Sequence, residues 1–287
     1  MAGTVLPRRR YADGVEVSVI AMGGLVVAEL EQAQADRLVS RSIDAGVNYF
    51  DVAPTYGNAE DRLAPAIQPH RDHIFLACKT TERTAGGAAA QLDASLRKLR
   101  TDHFDLYQFH GIASVEEARQ VLAPGGAGET FVEARRQGKA RFLGVSAHSV
   151  EAAMLMMEAM RLDSLMFPVN YACWLGGFGP QVVAAAKARG MACIALKAMA
   201  ACPRAKDEPR KYRKCWYTPV DQPHLAALAL RFTLAQGVVA AIPPGNEGLY
   251  EMALDVAAKT DLTQPPSVEE MAELRAAAAG AKPLFSG

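Results

Sequence analysis

The chain has 287 residues, half of them hydrophobic and 22% charged, enough to bury a sizeable core without disulfide or structural-metal crosslinks. Lys+Arg and Asp+Glu balance at 31 each, which argues against nucleic acid as the main partner, because phosphate binding draws on a basic excess. The cysteines, Cys78, Cys173, Cys193, Cys202 and Cys215, are odd in number and no two sit at C-x-x-C spacing, so a disulfide framework and a zinc or iron–sulfur centre both fit poorly. A reducing compartment is the natural expectation. Arg8, Arg9 and Arg10 are followed by no apolar run of the kind a signal peptide carries. No stretch approaches the ~20 apolar residues of a membrane span. The expected location is the cytoplasm, with no membrane partner and no metal.

In chain order, Asp13-Gly14 between short β-prone flanks predicts a hairpin within Arg10 to Ile20. Strands are then expected at Val19–Gly23, Tyr49–Val52, Ile74–Lys79, Phe104–His110, Phe142–Ser146, Leu165–Asn170, Ala192–Ala198 and Val238–Pro243. They are continuously apolar rather than alternating, as strands covered on both faces should be. Between them, apolar-faced helices are expected at Glu31–Ala45, Ala88–Leu99, Val150–Met160, Gln181–Arg189 and His224–Gln236; Gly46, Gly190 and Gly237 supply stop signals. Regular βα alternation implies a parallel sheet, and eight units without a composition break favour closure into a (β/α)8 TIM barrel, one domain over 1–287. Ser267 with Glu270 three residues on is a capping-box pattern, predicting an extra C-terminal helix outside the barrel. One connection, Ala200 to Gln222, is long and rich in Lys, Arg and Pro.

Catalytic groups of such barrels sit where strands end. Asp51 ends the second expected strand, Tyr56 follows in its loop, Lys79 ends the third and His110 the fourth. Each alone suits a helix cap or a solvated side chain, but together at neighbouring strand tips they suggest proton delivery to a carbonyl oxygen. A free phenol is a poor acid at neutral pH. An adjacent ammonium, Lys79, favours its phenolate and lowers its pKa. Asp51 would hold Lys79, and His110 would orient the substrate oxygen or relay the proton. Nothing in this set supplies electrons, so a hydride donor must bind alongside.

These residues resemble the aldo-keto reductases: NYFDVAPTYGNAE around Asp51 and Tyr56, FLACKT around Lys79, LRKLRTDHFDLYQFHG leading to His110, GKARFLGVSAHS with Ser146, and PVNY with Asn170. The resemblance covers roughly Val15 to Pro243 and follows the family from strand to strand. It implies the (β/α)8 fold, hydride transfer from a reduced nicotinamide, a small-molecule carbonyl or alcohol substrate, and Asp51, Tyr56, Lys79 and His110 as the catalytic tetrad. It also implies Ser146 and Asn170 as partners of the nicotinamide carboxamide, and Tyr171 as the ring stacked on it. Gly23-Gly24 at the first strand end could let the cofactor approach the backbone closely.

Two departures bear on the cofactor. Ser146 is followed by Ala147 and His148, where the family often has Ser-Asn. After the eighth strand, AIPPGNEGLYEMALDV places Pro244 and Gly245 where a basic residue and a Ser or Thr often meet the adenosine 2′-phosphate, and no Arg or Lys follows until Lys259. Glu247 and Glu251 would repel that phosphate if they faced it. The cofactor is therefore NADP(H) or NAD(H), with both open. The basic loop, containing Lys197, Arg204, Lys206, Arg210, Lys211, Arg213 and Lys214, could fold over a pyrophosphate, with Lys197 best placed; a solvated loop is the other reading. Cys215-Trp216-Tyr217 could close over the substrate or anchor the loop. Beside an oxidoreductase, a nicotinamide-binding regulatory or sensor protein with little turnover stays open, as do the physiological substrate and the oligomeric state.

Overall fold

A computed structural model describes residues 5–205, 207 and 209–286; Lys206, one of the basic-loop residues, lies outside the described residues. An antiparallel hairpin opens the chain, β1 (Arg8–Ala12) and β2 (Val15–Ser18), turning at Asp13-Gly14. Gly14 has φ 69°, the left-handed conformation that a two-residue hairpin turn demands.

Eight parallel strands follow: β3 (Met22–Gly23), β4 (Tyr49–Asp51), β5 (Phe75–Thr80), β6 (Phe104–Ile112), β7 (Ala140–Ala147), β8 (Ser164–Pro168), β9 (Ala192–Leu196) and, after a further hairpin, β12 (Ala240–Ile242). Their order in the sheet is β12-β9-β8-β7-β6-β5-β4-β3, and a parallel bridge between Ile20 and Ala241 joins its two ends. This is the predicted (β/α)8 barrel, each strand falling inside or within two residues of its predicted segment.

Helices cover the outside: α1 (Gln32–Asp44), α2 (Ala59–Ile67), α3 (Ala85–Leu99), α4 (Val115–Leu122), α5 (Ala127–Arg136), α6 (Val150–Ala159), α7 (Tyr171–Leu175), α8 (Pro180–Ala188), α9 (Pro223–Ala235), α10 (Glu247–Lys259) and α11 (Val268–Ala278). The last is the predicted extra helix, and both halves of its Ser267–Glu270 capping box are formed. No helix among the described residues is long and apolar enough to cross a membrane.

The long connection is not irregular throughout. It carries the second hairpin, β10 (Ala200–Pro203) paired with β11 (Tyr217–Pro219), whose strands are too short, and too far apart across a charged stretch, to give a hairpin signal in the sequence.

The core has two compartments. One lies between strands and helices; the other fills the barrel with Tyr49, Phe75, Ala77, Leu106, Met166, Ile194 and Ile242. Tyr11, Val15 and Val17 of the first hairpin belong to that inner compartment and close the barrel floor. The floor is therefore apolar and sealed, which leaves the opposite mouth for chemistry.

Candidate active site

Strand register explains the site. Across the sheet Gly23 pairs with Asp51, Asp51 with Ala77, Lys79 with Gln108, Gln108 with Gly144, and Ser146 with Met166. Alternate residues of a strand share a face, so Lys79 lies one inward step above Ala77, His110 above Gln108 and Ser146 above Gly144. One ring of the barrel interior thus changes from apolar to polar as the strands reach their C-terminal ends.

At that level Lys79 and Asp51 form an ion pair, both side chains buried. Asp51 Oδ2 also accepts a hydrogen bond from Gln108 Nε2 at 3.1 Å. The Lys79 ammonium lies 5.2 Å from the centroid of the Tyr56 ring, which stands edge-on to His110 at 5.6 Å. Thr55 Oγ1 lies 3.4 Å from His110 Nδ1.

Burial works against the charge on Lys79, but Asp51 and Tyr56 outweigh it and hold the ammonium above its ordinary pKa. For Tyr56 the balance differs from the sequence expectation. Burial dominates and raises the phenol above its usual value, while Lys79 pulls in the opposite direction through charge and a hydrogen bond. The predicted downward influence of Lys79 exists, yet desolvation of a phenolate in this low-dielectric mouth exceeds it. His110 is pushed down to about 3 by burial and then by Lys79, His148, Arg83 and Lys197, so its imidazole is neutral at physiological pH.

These groups open on a cavity of about 480 Å³. Gly23, Asp51, Tyr56, His110, Ser146, Lys197 and Gly245 contribute to its wall, with Leu25, His148, Met166, Leu196, Lys214, Trp216, Tyr217, Ile242, Pro243 and Phe285 completing it. Lys79, fully buried, is not a wall residue. Gly24, Asn170, Tyr171 and Pro244 are not wall residues. Tyr171, expected to stack on a ligand ring, is buried in the core between strands and helices at the start of α7; the apolar cavity wall in this region is Met166 and Leu196 instead. The reason is local: Asn170 caps α7 by accepting from Cys173 N at 2.9 Å, and that turn rotates Tyr171 inward.

The basic loop crosses the mouth. Lys214 donates to the Val26 carbonyl at 2.9 Å and lies 3.3 Å from Glu247, while Arg213 pairs with Glu29. The loop therefore ties the ends of β3 and β12 together, and its cation at the segment after β12 is Lys214. Lys197 turns the other way and bonds His148 Nε2 at 2.9 Å. Glu251, whose charge would repel a 2′-phosphate, is bridged to Arg41 of α1. Sequence reading missed Gln108 and the wall residues Leu25 and Phe285. Gln108 was recoverable, two residues before His110 and so on the same face; Phe285 comes from a distant tail and carried no local signal.

Several observations suit a nicotinamide dinucleotide. Asn170 Nδ2 is a buried donor with no partner among the described residues, and Ser146 lines the cavity. A Cβ at Gly245 would lie 2.7 Å from Leu25 Cδ2, and one at Gly23 3.1 Å from Ile242 Cγ2, so both positions leave backbone bare at the mouth. Among the described residues no group of three His, Cys, Asp or Glu side chains could hold a metal.

A barrel with this polar ring defines the class, and comparison with known proteins gives the family. The aldo/keto reductase family profile matches residues 20–219. The aldo-keto reductase YhdN of Bacillus subtilis is 28% identical over 179 residues, 55% of this chain and 51% of YhdN. An aldo-keto reductase of Mycobacterium sp. is 31% identical over 150 residues, 51% of this chain and 50% of the relative. The chain thus spans about half the length of the curated relatives it matches. Among solved structures, the holo form of aldo-keto reductase AKR11C1 from Bacillus halodurans superposes with TM-score 0.73 at 20% identity, covering 96% of this chain and 98% of that one, a likeness of fold. This chain belongs to the aldo/keto reductase family.

Proposed function

We propose that the protein is an NAD(P)H-dependent oxidoreductase that reduces an aldehyde, ketone or sugar-like carbonyl, with Tyr56 as the general acid. The observation that carries this reading is the buried Asp51–Lys79 pair set against the Tyr56 ring at the wall of the cavity. When bound, a reduced nicotinamide supplies the hydride that the carbonyl carbon accepts. Ser146 and Asn170 would hold its carboxamide, with Gly23 and Gly245, the two glycines on the cavity wall, leaving room for its backbone-hugging portions.

Tyr56 gives its proton to the carbonyl oxygen as negative charge develops there. Lys79 then stabilises the phenolate left behind, and Asp51, itself fixed by Gln108, keeps that lysine in place. A neutral His110 offers a ring N–H to the same oxygen and orients it, without competing as an acid. Trp216, Tyr217 and Phe285 narrow the mouth and limit water. General acid assistance of this kind contributes about 10²–10⁴-fold.

Steady-state turnover of a carbonyl panel with NADH and with NADPH tests the reading. Consumption of either cofactor supports it; tight binding without consumption would favour the nicotinamide-binding sensor. We expect NADH to bind at least as tightly as NADPH. Lys214 and Arg41 are already engaged by Glu247 and Glu251, so a 2′-phosphate against this segment would meet carboxylates whose cations are taken. Fluorescence titration with each dinucleotide checks this, and clearly tighter NADPH would mean that those cations leave their carboxylates for the phosphate.

Gly245→Ala should cost about 1–3 kcal/mol of stability, the usual cost of overpacking, and should weaken dinucleotide binding, because the new methyl displaces Leu25 of the cavity wall. The same titration reads the loss, and unchanged affinity would place the dinucleotide away from Gly245.

A further inference from the structure

The cations around the cavity are not equivalent. Lys79 has Asp51, Lys214 has Glu247, and Arg83, whose guanidinium donates to the His110 carbonyl, has Glu117 at 3.6 Å. Among the described residues Lys197 has no carboxylate in ion-pair reach. Its Nζ meets His148 Nε2 at 2.9 Å and lies 5.7 Å and 5.5 Å from the ring centroids of Trp216 and Phe285. Burial, with Lys197 beside it, pushes His148 down to about 3, so the imidazole accepts without a charge of its own. Aromatic faces attract a cation but do not neutralise it. A partly buried ammonium with neutral partners only is therefore uncompensated, and an anion brought to it recovers what desolvation took.

The backbone fixes where that ammonium stands. Lys197 has φ 59°, the left-handed conformation that side chains other than glycine rarely adopt, and such strain persists where surrounding structure enforces it. Among the described residues, no free carboxylate on the cavity wall opposes an anion. Of the described residues the only carboxylate on the wall is Asp51, already bound by Lys79 and Gln108. Lys197, His110 and Tyr56 all line this cavity, so the ammonium and the phenol share one chamber.

Side-chain direction, not sheet order, carries this ammonium away from the segment after β12, since β9 and β12 are neighbours with Leu196 paired to Ile242. Lys197 follows β9 and reaches His148, just beyond β7, two strands away on the side opposite β12.

We infer that Lys197 and His148 form a subsite for a carboxylate on the substrate, so that the preferred substrates are oxo acids, with an aldehyde or ketone a few carbons from the carboxylate. The inference rests on the reductase reading above. One ammonium among neutral and aromatic groups matches a single negative charge better than a phosphate dianion.

The test compares kcat/KM for 4-oxobutanoate with that for butanal, equal in carbon number, in the wild type, Lys197→Met and Lys197→Arg. A charge-assisted contact predicts that the acid-over-aldehyde ratio favours the acid in the wild type, falls about 10- to 100-fold in Lys197→Met, and is largely kept in Lys197→Arg. A ratio near one in the wild type, or a ratio that survives Lys197→Met, overturns the inference while leaving the reductase reading intact. A surviving ratio with weakened dinucleotide affinity would return Lys197 to the cofactor's phosphates. Reduction of neither compound, or of any other carbonyl in the panel, removes the reductase reading and this inference together.

Discussion

Tyr56→Phe is expected to lower carbonyl reduction by about 10²–10⁴-fold while dinucleotide affinity stays near that of the wild type. The substitution keeps the ring, and with it the edge-on contact to His110 and the position over Lys79, so the cavity wall is preserved and only the hydroxyl is lost. The pH profile of the unsubstituted protein should agree. Burial raises the Tyr56 pKa, so the proton-bearing form persists through neutrality and reduction falls only on the alkaline side of the ordinary tyrosine value of ~10. With His110 pushed down to about 3, no break should occur near ~6.5, where a free histidine titrates. Steady-state rates from pH 5 upward, together with fluorescence titration of the variant, check both parts. A Tyr56→Phe rate equal to wild type would mean that another acid operates.

Lys79→Met is expected to cost about 3–5 kcal/mol of stability as well as most activity, because it leaves the Asp51 carboxylate buried without its cation. Asp51 can escape that cost only by taking a proton. In the variant its folded-state pKa rises well above the unfolded value of ~3.9, since burial acts unopposed by the lysine. A raised folded pKa gives stability that is complete below the unfolded pKa and lost as pH rises toward the folded one, so Lys79→Met should be most stable in acid and weaken through neutrality. Asp51→Asn combined with Lys79→Met removes the stranded charge and should recover much of the loss, though not the activity. Urea unfolding of the single and double variants at pH 4.5 and 7.5 reads these differences. Equal stability of the single variant and the wild type at pH 7.5 would show that the pair is not the buried contact described.

The polar ring was legible to different depths. Asp51, Lys79 and His110 could be ranked as strand-end groups because the strands themselves are short apolar runs with clear edges, and an inward face repeats every second residue. Gln108 was available by the same periodicity but has no individual signature, being a neutral amide inside an apolar run. Tyr171 shows the limit in the other direction. Its neighbour Asn170 is both a strand-end polar group and a helix cap, and which role governs the next residue depends on whether α7 starts there. The net direction of the Tyr56 shift was likewise out of reach, since a sequence names the nearby ammonium but not the depth of burial that outweighs it.

By itself the chain's sequence determined the βα rhythm, the hairpin at Asp13-Gly14, the capping box at Ser267 and which ionisable residues stand at the strand ends. These follow from local backbone preference and from apolar spacing, which act within a few residues. Only the tertiary structure decided that Lys197 faces His148 rather than the segment after β12, that Lys214 ties that segment to Val26, and that Phe285 closes the cavity from the distant tail. Those contacts join residues tens to hundreds of positions apart, and each is chosen by competition for burial and charge partners that exists only once the barrel has assembled.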